Sequence, residues 1–125
     1  KLWLDERPEW NGFLDGEYHL FFQYNPYGAR WANMHWGHVV SKDLVNWKHL
    51  PVALAPDSLG AIFSGSAVID KDNTAGFGKN AMIVIYTSAG KQQRQSIAYS
   101  LDNGRSFTKF EGNPVLSDPA IVDFR

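Results

Sequence analysis

His35 and His38 invite a metal reading by type and spacing, because two imidazoles three positions apart can share an ion. No Glu lies between them as in a helical zinc motif, and no cysteine or acidic cluster adds ligands. Asp70, Asp72 and Asn73 carry oxygen donors for calcium, but the Gly and closing Glu of a calcium loop are missing at the needed offsets. We expect a solvated turn there, no metal site and no cofactor. With no cysteine in the chain, thiol chemistry and a disulfide framework are excluded. Twelve Lys and Arg against 13 Asp and Glu give a net charge of −1 without a long basic run, which leaves no footprint for nucleic acid. No apolar stretch approaches the length of a membrane span.

Strands must position whatever chemistry remains. Tyr18–Tyr24, Gly37–Ser41, Ala67–Ile69, Met82–Thr87 and Ser96–Ser100 are short and rich in β-branched or aromatic residues. Turn residues bound them, among them Asn25-Pro26, Ala89-Gly90, Asp102-Asn103-Gly104 and Gly112-Asn113-Pro114. Asn11-Gly12, after Trp10, reads as a further turn feeding the first strand. Helical periodicity longer than about two turns is absent, so the chain is all-β. At 44% hydrophobic and 14% aromatic it has a globular composition.

The strands also repeat. Ser41 and Asp43 return as Ser100 and Asp102, each 59 positions on, and Trp47 is echoed by Phe107 at 60. Upstream, Phe22-Gln23-Tyr24 is echoed by Ile85-Tyr86-Thr87. A period near 60 with about four strands per unit suits propeller blades, with two look-alike hairpin pairs of a β-sandwich as the alternative. Two such units cannot close a propeller, so the sequence reads as part of a larger fold with unpaired edges.

Ordered motifs carry a more specific resemblance: FFQYNPYG at 21–28, NMHWGHVVS at 33–41, KDLVNWKHLPVAL at 42–54 and FSGSAV at 63–68. NTAGFG at 73–78, QSIAYS at 95–100, DNGR at 102–105, NPVL at 113–116 and DFR at 123–125 extend it. Together, over roughly residues 10–125, they resemble glycoside hydrolase family 32, the β-fructofuranosidases that include invertases, inulinases and levanases. The resemblance implies a five-bladed β-propeller, with a lead-in over 1–9, blade 1 over about 10–60, blade 2 over about 61–118 and the start of blade 3 at about 119–125. It implies retaining hydrolysis of fructosyl bonds in sucrose or fructans, with a carboxylate nucleophile and a second carboxyl group as acid and base. A fructose-containing saccharide is the expected partner. Secretion is expected because polymeric fructans do not cross membranes unaided, with a cytoplasmic setting as the alternative.

The family's nucleophile signature resembles W-M-N-D-P-N-G, where this chain reads Trp10-Asn11-Gly12. Keeping Trp10 and Asn11-Gly12 leaves M-N-D-P absent, the alignment we favour; an ungapped alignment puts Glu9 at the Asp position and Trp10 at the Pro. Asp123-Phe124-Arg125 resembles the lead-in to D-F-R-D-P, and the family's acid/base Glu lies further downstream. No catalytic carboxylate is therefore assigned, and these 125 residues are expected to be inactive alone. The resemblance leaves a fructosyl pocket wall. Gln23 would bond a sugar hydroxyl, Trp31 would stack on the ring, and Phe63 and Ser64 would supply an apolar wall and a hydroxyl. Arg125 would reach a fructose hydroxyl or the neighbouring carboxylate, with Asn11 contributing if the shortened segment keeps its place. Trp36 and Trp47 read as packing between blades. A non-catalytic fructan-binding or purely structural unit is the alternative function, and exposed blade edges predict self-association.

Overall fold

The computed structural model describes residues 8–124. Nine strands follow in chain order: β1 (Pro8–Leu14), β2 (Glu17–Tyr24), β3 (His35–Ser41), β4 (Lys48–His49), β5 (Ala61–Asp70), β6 (Ala81–Ala89), β7 (Gln93–Ser100), β8 (Thr108–Lys109) and β9 (Leu116–Ser117). They build two antiparallel sheets, one ordered β1-β2-β3-β4 and the other β5-β6-β7-β8, with β9 also paired to β7. There is no helix among the described residues.

The first hairpin corrects one expectation. Asn11-Gly12 does not turn; Asn11 pairs with Leu20 and Gly12 with His19 inside the β1–β2 ladder. The chain reverses at Asp15 and Gly16, whose φ angles of 49° and 81° close a two-residue loop between the paired Leu14 and Glu17. Positive φ at both positions matches the twist of the flanking strands. A reversal at Asn11-Gly12 would instead face Trp10 with Phe13 and forfeit the ladder to β2.

The two sheets share one plan. Val39 pairs with Leu20 and Ala98 with Val84, so the third strands are offset by 59 residues and the second strands by 64. This corrects the upstream echo, since Gln23 falls on Thr87 and not on Tyr86. The cause is the loop before the third strand, residues 25–34 in the first sheet and only 90–92 in the second. After each third strand the same device turns the chain. Ser41 Oγ accepts the Leu44 N–H at 2.8 Å, while Asp43 Oδ1 accepts from Val45 and Asn46 at 2.9 and 2.8 Å. Ser100 Oγ likewise accepts the Gly104 N–H at 2.8 Å, and Asp102 Oδ1 accepts from Ser106 at 2.9 Å. Bonding to the charged form holds the Asp102 carboxyl down to about 2, against a burial effect that raises it.

Each fourth strand is interrupted. Leu50 N–H bonds His38 O and Ala53 N–H bonds Trp36 O, just as Phe110 N–H bonds Ile97 O and Val115 N–H bonds Gln95 O. Asn113 spans the gap between β8 and β9 with its carboxamide, accepting from Ile97 N–H at 2.9 Å and donating to Ile97 O at 2.8 Å. The sheets stack through Phe21, Trp36 and Leu54 on one side and Ile62, Ala67, Met82, Val84, Tyr86 and Ala98 on the other. Fully burying each large apolar side chain contributes about 1.5–3 kcal/mol, so this seam is what joins the sheets.

Candidate functional site

Gln23 stands near the end of β2, directly across from Trp36 of β3, so both side chains lie on the face that meets the second sheet. It is 2% exposed, and neither its carboxamide oxygen nor its nitrogen has a hydrogen-bond partner in the protein. Trp36 cannot serve it, because its single Nε1–H already donates to Phe63 O at 2.9 Å. A buried amide with no partner costs about 1–3 kcal/mol, and an incoming polar group would recover it.

Trp31 lies in the loop between β2 and β3, 55% exposed, its ring centroid 6.0 Å from that of Phe63. That loop is shaped locally: Asn25 Nδ2 donates to Arg30 O at 2.9 Å and Asn25 Oδ1 accepts the Tyr27 N–H at 3.0 Å. It is tied to the second sheet where Ile62 N–H bonds Met34 O at 2.9 Å, one residue before Phe63. Phe63 and Ser64 sit at an irregularity of β5, where Phe63 pairs with Thr87 but Gly65 already pairs with Tyr86. Ser64 is the extra residue, and such a bulge re-aims side chains. Gly65 permits it: a Cβ there would lie 1.9 Å from Ile85 O. Thr87 Oγ1 donates to Ser64 O at 3.0 Å, and Gln95 Nε2 donates to Thr87 Oγ1 at 2.9 Å and to Phe124 O at 2.5 Å.

The structure thus brings Trp31 against Phe63, with Ser64 next in the chain, and joins Gln23 to them through Trp36. Asn11 contributes its backbone to β1, which runs through Trp10-Asn11 without a break and has its irregularity at Glu9, between Pro8 and Trp10. Arg125 lies outside the described residues. Trp36 packs in the inter-sheet seam as expected of it, but its bond to Phe63 was not foreseen, nor were Thr87, Gln95 and Gly65. Gly65 and Gln95 stand in FSGSAV and QSIAYS, but the parts they play are set by the register between strands, which no local motif prints. His35 and His38 point to opposite faces of β3, as odd spacing on a strand requires. His35 Nδ1 meets Asn33 O at 2.6 Å, whereas His38 Nε2 meets His19 Nδ1 at 2.9 Å.

Two stacked antiparallel sheets built on one plan, each with its interrupted fourth strand, are blades of an all-β propeller protein. The family model for the N-terminal domain of glycosyl hydrolases family 32 matches residues 4–125, and the chain belongs to that family. It is similar to a levanase of Bacillus subtilis, 58% identical over 98% of this chain and 19% of the relative. An extracellular exo-inulinase of Aspergillus awamori is 44% identical over 95% of this chain and 26% of its own length. Among solved structures, the β-fructofuranosidase of Schwanniomyces occidentalis complexed with fructosyl-erythritol superposes with a TM-score of 0.83 at 39% identity, covering 92% of this chain and 24% of that one. The chain therefore spans about a fifth to a quarter of the length of these relatives, and its two sheets correspond to the N-terminal part of their fold.

Proposed function

We propose that these residues form the N-terminal blades of a β-fructofuranosidase that hydrolyses sucrose or fructans with retention, and that they supply the wall of its fructosyl pocket. The observation that carries this reading is Gln23, a buried carboxamide with no protein partner, whose cross-strand neighbour Trp36 bonds the main chain of Phe63, the ring that the exposed Trp31 approaches. Gln23 and Trp31 suit a neutral polyol, whose hydroxyls satisfy the amide while its ring face lies on the indole. Asn11, Ser64 and Arg125 complete the wall by their family positions, and secretion follows from the extracellular inulinase among the relatives.

In this reading residues 1–125 do not turn over a fructoside alone, because retaining hydrolysis needs both a nucleophile and an acid. The length of the match to the levanase is compatible with a four-residue gap in this chain: 127 aligned positions take in 98% of its 125 residues. Inserting Met-Asn-Asp-Pro between Trp10 and Asn11 restores the nucleophile only in a polypeptide that also bears the downstream carboxylates. In that enzyme Gln23→Ala and Trp31→Ala should each lower kcat/KM by roughly 1–3 kcal/mol of transition-state binding. Full activity in both variants would remove the pocket assignment, and fructose release by the 125-residue chain would overturn the shortened-segment reading. The second reading, a fructan-binding unit without catalysis, rests on the same unpartnered Gln23, and fructose binding by the chain alone would favour it.

A further inference from the structure

The two sheets treat equivalent positions differently, and the difference points to a residue that shapes the pocket from behind. Trp36 and Gln95 occupy the same place in their sheets, each opposite the pocket-end residue of the second strand, Gln23 and Thr87 respectively. Each sends a side-chain N–H to the main-chain carbonyl of a phenylalanine further along the chain: Trp36 to Phe63 O and Gln95 to Phe124 O. Phe63 and Phe124 are 61 residues apart, close to the repeat of the sheets. Each of these carbonyls belongs to the peptide that leads into a proposed pocket residue, Ser64 after Phe63 and Arg125 after Phe124.

Gln95 does more than Trp36. Its second N–H reaches Thr87 Oγ1, and that hydroxyl in turn donates to Ser64 O. One carboxamide therefore fixes two main-chain positions that are remote in sequence, the Ser64 bulge and the Phe124 carbonyl. We propose that Gln95 is a positioning residue of the fructosyl pocket, bracketing Ser64 through Thr87 and the Phe124 carbonyl directly, so that one side chain sets their separation. This rests on the fructosidase reading for the pocket, while the bracket itself rests on geometry alone. The donor count explains why glutamine is needed. Two N–H groups on one planar head serve both partners, whereas a carboxylate of the same shape donates to neither.

Gln95→Glu is therefore the informative variant, because it keeps volume and removes both donors. In the 125-residue chain, amide hydrogen exchange near Phe124 and at Gly65 should quicken about tenfold, the factor one lost hydrogen bond carries, while Ile83 and Tyr99 in the β6–β7 ladder keep their protection. Protonating the new carboxyl at acid pH returns one donor, so the excess over the parent chain should shrink, a pH dependence that a loss of packing would not produce. For the pocket role, residues 61–125 replace their counterpart in the B. subtilis levanase, which keeps that enzyme's own nucleophile. There Gln95→Glu should raise KM for sucrose and the inhibition constant of fructose about fivefold or more, with kcat within about twofold. Unchanged exchange overturns the bracket. Faster exchange with unchanged KM and fructose inhibition overturns the positioning role. A chimera that is folded yet inactive with Gln95 intact overturns the fructosidase reading and the pocket role with it, while the exchange experiment still judges the bracket.

Discussion

Acid should loosen the seam between the sheets before it reaches any carboxylate. His19 and His38 are buried side by side, Nδ1 of one 2.9 Å from Nε2 of the other, under Gly104 and against the rings of Phe21 and Phe107. Burial drives the His38 pKa from its ordinary 6.5 to about 3, helped by the neighbouring His19 and by Arg105, and burial lowers His19 as well. The charged groups facing the pair are Glu17 and Arg105, which neutralise each other across 2.7 Å. The folded chain thus binds fewer protons than the unfolded chain below pH 6.5. Its stability is full above that pH and falls as pH drops toward 3. One imidazole held neutral in this way costs about 2 kcal/mol between pH 7 and pH 5, with His19 adding in the same direction. Against a domain stability of about 5–15 kcal/mol, that is a visible fraction. Urea unfolding at pH 7, 6 and 5 reads the slope, and imidazole NMR reads the site. The double variant His19→Gln, His38→Gln keeps a side-chain hydrogen bond without a titrating group and should flatten the curve in this range. A His38 resonance that titrates near 6.5, or a double variant as acid-sensitive as the parent, would refute the reasoning.

Three further outcomes follow from packing and hydrogen bonds. Gly65→Ala should cost about 1–3 kcal/mol in chemical denaturation, because its Cβ meets Ile85 O at 1.9 Å and the bulge must move. Ser100→Ala should cost about 1–3 kcal/mol by the same measurement, since Ser100 Oγ is buried and accepts the N–H of Gly104, the residue that lies over the histidine pair. Self-association of the 125-residue chain should appear as a concentration-dependent sedimentation coefficient and be suppressed by Ile85→Lys. Ile85 and Val68 lie exposed on the face of the second sheet equivalent to the Phe21 face that the first sheet buries.

The strands were legible because their signal is local. Runs such as YHLFFQY and MIVIYT are strand formers whatever surrounds them, and the Ser-x-Asp turns announce themselves by residue types that bond their own backbone. Asn11-Gly12 misled for the same reason. Its turn propensity is real, but the register that Asp15-Gly16 imposes leaves it opposite Leu20 and His19, where the ladder outweighs it. The echo of Gln23 also falls one residue off, because the loop-length difference before the third strands is hidden within the similar residue types of the neighbouring strand. The loop before β3 is seven residues longer than its counterpart before β7, and part of that excess is offset within the strands and turns.

The site was legible only where a motif names a residue. Gln23, Phe63 and Ser64 stand within short motifs and Trp31 just after one, whereas Thr87 and Gln95 matter through partners 23 and 29 positions away. Gln95 opens the motif QSIAYS, but that motif gives it no role; only the β6–β7 register places it opposite Thr87. The same register accounts for the amide at the centre of the proposed pocket. Where the second sheet has a two-donor carboxamide opposite a hydroxyl, the first has a one-donor indole opposite a carboxamide. The indole's proton goes to Phe63, so the carboxamide of Gln23 is left for something outside these strands. A polar residue on a buried face is ordinarily satisfied by its own sheet. Here the sheet has the neighbour in place and lacks the donor, which is how a β-strand can hold a binding group in reserve without moving its backbone.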